Sequence, residues 1–350
     1  MNRQPGFIQN LRKDIERVSD SIRTMVDRHG GLREENFFSL LMNPNGDELR
    51  SVDVPNDMNV SFYHDKIEEY SELGKGQKFV HCIYAGETDV FTGNPKALLR
   101  VPGLGISLLA IKLLQTPKGV KTAVIVPPHL KSQFEDHVFS LFMDNFEDIS
   151  IIEQDSVYLL TPDYRLVKDE LISCGSGGCI SALIRDGFLQ KLSADGTDLL
   201  YVTDVCNVFS TPSDEIMGHH VKHGSKITFE VVRRMPDEHG SVLVDSENGI
   251  NIVNPVRVGT AELSEHSWMG TGAVVVNTNL DLSSALPSWR RVRRVHKNYI
   301  TVCYQRFLEE LSEAYTASYV GVARDERFLT VSNTRDMEEI SKRLTIKFSS

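Results

Sequence analysis

A lysine that follows a strand and a polar loop is the first indication of chemistry in this chain. Residues 79–84 form an apolar run that ends at Ala85-Gly86, and a polar loop then leads to Pro95-Lys96. Apolar runs of this kind are typical of buried parallel strands. Phosphate oxygens require backbone amides and a fixed cation. Ala85, Gly86 and Lys96 are therefore predicted to contact a phosphorylated ligand, although a lysine alone also suits an ordinary surface.

Three glycines and one aspartate form the next candidates. Gly175, Gly177 and Gly178 come just before a predicted helix, where a base or a phosphate can approach the backbone closely. With Ser176 between them, they equally suit an ordinary loop and helix cap. Asp204 ends a predicted strand, and α/β sheets bind their ligands at the carboxyl ends of strands. Asp204 is therefore predicted to belong to the site.

Histidines and cysteines suggest no zinc centre. His219, His220 and His223 lie close together, but no cysteine or carboxylate cluster accompanies them, and adjacent histidines seldom face one ion. The five cysteines include no CxxC pair. An odd number without that spacing predicts free thiols in a cytoplasmic protein.

Alternating elements must position these residues. Strands and helices are predicted to alternate up to residue 225, which is typical of a mixed, mainly parallel α/β sheet flanked by helices. The predicted strands there are 79–84, 122–126, 149–152 and 198–203, and the predicted helices are 107–115, 129–142, 178–192 and 213–223. The later part is strand-rich (226–232, 241–244, 250–258 and 272–276) and closes with a basic segment at 289–297 and a predicted helix at 302–313.

Length and charge limit the classes of function. The 350 residues are 41% hydrophobic, which suffices for a large core. We predict an N-terminal helical segment (1–75), a catalytic domain (76–285) and a C-terminal α+β portion packed on it (286–350).

A net charge of −10 argues against general nucleic-acid binding. No apolar stretch is long enough for a bilayer, and the start shows no signal-peptide core, so neither a membrane partner nor secretion is expected.

Eight short motifs follow one another along roughly residues 70–335. They are Glu72–Lys78 before the first strand, Pro95–Leu98, Phe146–Gln154, Cys174–Leu183, Gly187–Leu192, Tyr201–Asn207, Asn277–Asn279 and Arg324–Asn333. In this order they resemble the motifs of the UDP-sugar pyrophosphorylase family, and especially those of its UDP-N-acetylhexosamine branch. The family resemblance implies a nucleotidyltransferase fold of the GT-A/Rossmann-like type.

The family resemblance also implies roles for particular residues. Gln154 and the Gly175–Gly178 loop would face the uracil, and Asn277 and Asn279 would bind the acceptor. Lys96 would hold the triphosphate, and Asp204 would hold Mg²⁺. A late basic residue would face the α-phosphate; Arg293, Arg294 and Lys297 are the candidates, and a solvated basic face explains any one of them equally well.

Two departures from the family pattern bear on activity. The glycine-rich loop, Ala-Gly-Gly-x-Gly-Thr-Arg-Leu-Gly in the family, is replaced by residues 85–93, which lack the arginine and two glycines and contain Glu87 and Asp89. Carboxylates repel a triphosphate unless they point away or hold a metal. The family's metal-binding aspartate aligns with Cys206, and thiolates are poor Mg²⁺ ligands.

The expected activity is transfer of a nucleotidyl group, from UTP or another nucleoside triphosphate, to a sugar-1-phosphate or related phosphorylated acceptor, with release of pyrophosphate. Mg²⁺ is the expected cofactor. The alternative is a catalytically impaired relative that binds a nucleotide or a partner protein. The altered loop favours the alternative, whereas Lys96, Gln154 and the glycine loop favour retained ligand binding.

Overall fold

The computed structural model describes residues 60–89, 92–162, 166–235, 238, 240–246, 249–258, 268–297, 299–332 and 336–349. Residues 1–59, which make up most of the predicted N-terminal helical segment, lie outside the described residues. Val90 and Phe91 of the altered loop also lie outside them.

A ten-stranded mixed sheet forms the centre of the described chain. Its main path runs β1-β14-β8-β11-β7-β2-β3-β4, and β9 and β10 attach beside β11. Within this path β11 is antiparallel to both neighbours, while the other pairs are parallel. The strands are β1 (Ser61–Phe62), β2 (Phe79–Tyr84), β3 (Thr122–Val126), β4 (Ile149–Glu153), β7 (Leu199–Asp204), β8 (Ile227–Arg233), β9 (Val242–Ser246), β10 (Gly249–Val253), β11 (Trp268–Asn277) and β14 (Ala317–Gly321). The predicted mainly parallel α/β sheet is confirmed.

Helices cover both faces of the sheet. They are α1 (Ile67–Gly74), α2 (Leu108–Gln115), α3 (Lys131–Leu141), α4 (Gly178–Arg185), α5 (Phe188–Ala194), α6 (Asp214–Lys222), α7 (Leu311–Ala314), α8 (Arg324–Arg327) and α9 (Met337–Ser349). Along β2, Cys82 belongs to the core cluster that contains α4 and α5, and Ile83 to the cluster that contains α2 and α3. Burial on both faces explains why the parallel strands are continuous apolar runs in the sequence.

A second, four-stranded sheet has the order β12-β13-β5-β6. Its strands are β5 (Ser156–Leu160), β6 (Leu166–Ser173), β12 (Arg290–His296) and β13 (Tyr299–Gln305). The predicted helix at 302–313 is wrong, because its first part is β13 and only a short helical segment follows. β-Branched and aromatic residues dominate β13, and pairing with β12 and β5 decides its conformation.

One predicted helix needs correction, and the predicted domain limits stay a prediction. The predicted helix at 178–192 is two helices, since Gly187 between α4 and α5 has φ +72°. The predicted domain limits at 75/76 and 285/286 do not coincide with breaks in the sheets. β1 pairs with β14, and β14 also pairs with β8 inside the main sheet.

Candidate functional site

A polar cleft lies at the carboxyl edge of the main sheet. β2 and β7 are adjacent parallel strands in which Tyr84 pairs with Asp204, so both strands end at the same place. The cleft of about 530 Å³ is lined at this edge by Glu87, Lys96, Asp204 and Cys206. Lys96 and Asp204 therefore lie at the same edge of the sheet, because β2 and β7 are neighbouring parallel strands in register.

The two ends of the altered loop are joined by backbone hydrogen bonds, as in a narrow hairpin. The Lys96 amide donates to the Glu87 carbonyl (3.0 Å), and the Asp89 amide donates to the Asn94 carbonyl (2.8 Å). The fully buried Asp89 carboxylate accepts hydrogen bonds from the amide and the hydroxyl of Thr92, at 2.9 and 3.0 Å. Of the two carboxylates in the loop, Asp89 therefore orders the turn, and Glu87 faces the cleft.

Lys96 is almost enclosed, with 9% of its side chain exposed, and its ammonium lies 3.6 Å from the Glu87 carboxylate. Burial alone would lower the pKa of Lys96, but the acidic groups of Cys206, Glu87 and Asp204 raise it above its ordinary value. Lys96 is therefore a permanent cation. Burial, and then the negative charge of Glu87, raise the pKa of Asp204 to about 6. Burial also raises the pKa of the Cys206 thiol well above its ordinary value, so that Cys206 is a neutral thiol at pH 7.

Acidic groups outnumber cations in the cleft. Among the described residues that line it, the ionisable carboxylates are Glu87, Asp204, Glu238 and Glu309, and the cation is Lys96. Glu238 accepts hydrogen bonds from the Arg324 guanidinium at 2.8 and 2.7 Å. Glu309 accepts a hydrogen bond from the Ser241 hydroxyl at 2.8 Å. Because serine carries no positive charge, this contact does not neutralise the carboxylate. The sequence prediction missed Glu238 and Glu309, because they come from distant segments with no motif around them.

The predicted uracil contacts are not exposed in the cleft. Gln154 is fully buried. Its Nε2 donates to the Ser173 hydroxyl at 2.8 Å, and its Oε1 accepts from the Cys174 thiol at 3.7 Å. A Cβ placed on Gly86 would lie 2.2 Å from the Gln154 Nε2. Gly86, like the equally buried Ala85, thus packs against the chain itself and not against an open ligand site.

The glycine loop is likewise closed by the chain itself. A Cβ on Gly175 would lie 2.3 Å from the Arg306 carbonyl oxygen, and one on Gly178 would lie 2.1 Å from the Cys174 sulfur. The Gly177 amide donates to the Arg306 carbonyl at 3.0 Å. Gly175 and Gly177 thus lie against residues 305–307, and Gly178 lies against Cys174. The contact of these glycines with a base stays a prediction that this packing does not support. Ser176 reaches a cavity of about 60 Å³ that also touches Tyr84 and Asp204.

The two predicted acceptor ligands lie at the opposite edge of the sheet. Asn277 ends β11, which is antiparallel to β7, and it pairs with Leu199 at the start of β7. Five residue steps of β-strand separate that position from Asp204, a distance of roughly 17 Å. The Asn277 amide bonds to His220 and Ser225, and Asn279 follows in a turn. Contact of these two residues with an acceptor stays a prediction that this placement does not support, since the sequence did not show that β11 runs in reverse.

The late basic residues point in different directions, because successive side chains of a β-strand lie on opposite faces. Arg293 is exposed, and Lys297 forms an ion pair with Glu170 at 2.5 Å. Arg294 lies on the other face of β12 from Arg293. Burial raises the pKa of Glu87, but the positive charges of Lys96 and Arg294 lower it below its ordinary value. The Arg294 Nε is buried and has no hydrogen-bond partner among the described residues. Arg294 is therefore the late basic residue whose charge acts on Glu87, and the alternation of β12 was the signal that could have identified it. The Lys297 side chain lies against Gly93 in the same loop.

The side chains at this edge of the sheet include one oxygen ligand that suits Mg²⁺. Asp204 supplies a hard oxygen ligand, although one of its oxygens already accepts the Cys206 amide at 2.8 Å. Among the described residues, no three His, Cys, Asp or Glu side chains are grouped so that they could hold a metal ion. Proteins commonly bind Mg²⁺ through one or two carboxylates together with water and substrate phosphates. The site therefore fits Mg²⁺ that binds with a phosphorylated ligand, and it does not fit a preformed metal cage.

Part of the chain is similar in sequence to uridylyltransferases. Residues 129–302 match the family model of UTP--glucose-1-phosphate uridylyltransferase. A probable UTP--glucose-1-phosphate uridylyltransferase of Schizosaccharomyces pombe is 18% identical over 312 residues, which cover 82% of this chain and 61% of the yeast protein. The chain thus spans about three fifths of that relative. In the part of the chain that the structure describes, no helix has the length and apolarity to cross a membrane.

Solved structures share the fold at low sequence identity. The UDP-N-acetylglucosamine pyrophosphorylase of Trypanosoma brucei, solved with an inhibitor, superposes with a TM-score of 0.73 at 14% identity, covering 95% of this chain and 81% of that one. A mutant UDP-glucose pyrophosphorylase of Leishmania major, solved with UDP-glucose, gives 0.73 at 16% identity, covering 90% and 77%. With the motifs found in the sequence, these matches show that the chain has the fold of the UDP-sugar pyrophosphorylases and is similar to them in sequence over residues 129–302.

Proposed function

We propose that the chain binds a nucleotide or nucleotide sugar in the cleft and transfers a uridylyl group to a phosphorylated acceptor, more slowly than its relatives do. The observation that carries this proposal is the convergence of Lys96 and Asp204 in one cleft, at the carboxyl ends of adjacent strands. A cation and a hard carboxylate side by side suit a phosphate chain with its metal ion.

The chemistry needs positioning and charge neutralisation more than covalent help from the protein. An acceptor phosphate oxygen forms a bond to the α-phosphorus, and the bond from that phosphorus to the bridging oxygen breaks, so that pyrophosphate leaves with the electron pair. Lys96 donates hydrogen bonds to the phosphates, and Arg294 adds a second positive charge near the loop. Mg²⁺, held through Asp204 and the phosphates, supplies further charge neutralisation when bound.

The slow rate follows from what the site has lost. The family arginine is missing from the loop, and removal of one group that stabilises the transition state typically costs about 10²–10³ in rate. Most of the charged side chains that line the cleft are acidic. We therefore expect turnover with UTP and N-acetylglucosamine-1-phosphate to be at least about 100-fold below that of a family enzyme assayed in parallel.

The second candidate function is ligand binding without turnover. The altered loop favours it, because the loop lacks the family arginine and places the Glu87 carboxylate 3.6 Å from the Lys96 ammonium. UDP-glucose is the first ligand to test, since the Leishmania major relative was solved with it.

Calorimetry with UDP-glucose and UTP, combined with pyrophosphate release over a panel of nucleoside triphosphates and sugar phosphates, tests both candidates. Slow release that depends on Mg²⁺ supports transfer. Binding without release supports the second candidate. Absence of binding at millimolar concentration contradicts both and leaves only the fold.

A further inference from the structure

Glu87 occupies the position where the cleft would hold a negatively charged group. Its carboxylate lies 3.6 Å from the Lys96 ammonium, and 31% of the Glu87 side chain is exposed against 9% for Lys96. The cation is thus buried behind the carboxylate. A phosphate oxygen that enters the cleft meets a negative charge first and finds the lysine already neutralised.

The backbone fixes this arrangement. The hydrogen bond from the Lys96 amide to the Glu87 carbonyl and the bridge between Thr88 and Pro95 place the two residues opposite each other in the hairpin. Glu87 therefore remains next to Lys96 whether or not its charge is present. The pair is built into the loop and does not depend on a chance rotamer at the surface.

A second cation acts on the same carboxylate. Burial alone would raise the pKa of Glu87, but the positive charges of Lys96 and Arg294 lower it below its ordinary value. Glu87 is therefore ionised at neutral pH. Two cations from different sheets, one on the loop after β2 and one on β12, thus face one carboxylate of the protein itself.

We propose that Glu87 is the specificity-determining residue of the cleft, an internal anion that takes the place of a ligand phosphate on Lys96. This inference rests on the proposed function and adds a ligand class to it. The cleft discriminates against the highly charged pyrophosphate and triphosphate groups, and it accepts ligands with less phosphate charge, such as a nucleotide sugar. The low transfer rate then has a local and removable cause.

The test compares Glu87→Gln with the wild-type protein, using inorganic pyrophosphate and UDP-glucose as probes in calorimetry. Glutamine keeps the shape of glutamate and removes its charge. We expect pyrophosphate affinity to rise about 10- to 100-fold, the range of one charge-assisted hydrogen bond. UDP-glucose affinity should change by less than about 5-fold, because that ligand carries less charge for Lys96 to bind.

Two further variants isolate the ion pair. Glu309→Gln removes one charge from the same cleft without altering the partner of Lys96, so pyrophosphate affinity should rise less than about 3-fold. The double variant Glu87→Gln/Lys96→Ala should lose most of the gain, as expected for two groups that act through each other. Glu87→Ala is the second single variant if the glutamine protein does not fold.

The outcomes separate this inference from the proposed function. If wild-type protein binds UDP-glucose and Glu87→Gln gains no pyrophosphate affinity, the role of Glu87 is wrong and the proposed function stands. An equal gain in Glu309→Gln also overturns the inference, because it would show an effect of total charge. If no variant binds either probe at millimolar concentration, the proposed function fails as well.

Discussion

Lys96 combines near-complete burial with a permanent charge, and this combination requires fixed partners. A buried ammonium is tolerated only when anions compensate for the lost hydration, and Glu87 and Asp204 provide that compensation. The same side chain lines the cleft. Because an ammonium has three N–H donors, Lys96 can keep Glu87 as a partner and still donate a hydrogen bond to a ligand phosphate.

The first prediction concerns Lys96→Ala. We expect nucleotide affinity to fall by roughly 1.5–3 kcal/mol, the contribution of a charge-assisted hydrogen bond. Calorimetry on a variant with a native circular dichroism spectrum measures the change. Lys131→Ala, which removes an exposed lysine from α3, should leave affinity unaltered. Equal affinity in the folded Lys96 variant would exclude a phosphate contact.

Asp204 shows the opposing demands of stability and function at one residue. Its pKa is raised to about 6, from an ordinary value of 3.8, because burial and Glu87 disfavour its charge. The folded state therefore binds more protons than the unfolded state between these two pH values. Ionised Asp204 destabilises the fold above about pH 6, and this cost disappears as the pH falls below about 4.

The second prediction follows for Asp204→Asn. At pH 7.5 we expect this variant to be more stable than wild type by up to about 3 kcal/mol, as measured by urea unfolding, with little difference at pH 4. Mg²⁺-dependent binding should be lost, while Cys206→Ser should be mild because a thiol is a poor Mg²⁺ ligand. An essential Cys206 with a dispensable Asp204 would instead indicate thiol chemistry or a softer metal.

Helices α1 and α6 pack with their backbones almost in contact. A Cβ on Gly218 would lie 1.7 Å from the Tyr70 carbonyl oxygen, and one on Gly74 would lie 1.8 Å from the Asp214 carbonyl oxygen. His219 is enclosed at this crossing, with 1% exposure and no hydrogen-bond partner for either ring nitrogen among the described residues. The ring packs edge-on against Tyr70 and lies beside the His223 ring.

The third prediction is that acid weakens this helix pair through His219. Burial, and then the charges of His223 and His220, lower the pKa of His219 to about 3. The unfolded chain therefore takes up a proton below about pH 6.5, and stability is lost as the pH falls. The loss reaches about 2 kcal/mol at pH 5.

Urea unfolding at pH 7 and pH 5 measures that loss. His219→Phe should reduce the difference between the two pH values by about 2 kcal/mol, because it cannot bind the proton. His64→Gln, which alters a histidine with 47% side-chain exposure, should keep the wild-type pH dependence. A His219→Phe protein that retains the full difference would assign the acid effect to other groups.

A buried ion pair joins the C-terminal part of the chain to the centre of the main sheet. The Arg327 Nη2 donates to the Glu230 carboxylate at 2.5 Å, to the Thr211 carbonyl at 2.8 Å and to the Tyr201 hydroxyl at 3.1 Å. Glu230 and Tyr201 lie on β8 and β7. The segment that follows α8 therefore reaches the cleft, through Phe328 and Thr330, from a position fixed by the sheet.

The fourth prediction is that Glu230→Gln destabilises the whole protein by about 3–5 kcal/mol, because Arg327 is left as a buried charge without its counter-ion. Asp325→Asn removes the exposed partner of Arg343 and should cost less than about 1 kcal/mol. Thermal melting of the two variants in parallel measures both effects. Glu230→Gln and Asp325→Asn proteins of equal stability would show that the buried pair contributes nothing.

The sequence alone determined the central parallel strands and the positions of Lys96 and Asp204 just beyond them. The apolar runs of β2, β3 and β7 are long and regular enough to identify buried parallel strands, because burial on both faces leaves no polar positions. Lys96 and Asp204 could be chosen because they stand just beyond such strands, and parallel strands end at a common edge. The family resemblance came from motifs whose order persists at low identity.

Only the tertiary structure decided which neighbours each candidate meets. Asn277 lies at the far edge because β11 runs in reverse, and strand direction leaves no mark on local sequence. Gly175 is covered by residues 305–306, Gln154 is bonded to Ser173, and Glu87 faces Lys96 because of hairpin pairing. These contacts join segments distant in the chain or depend on backbone geometry, whereas spacing and periodicity report only on a residue's own element.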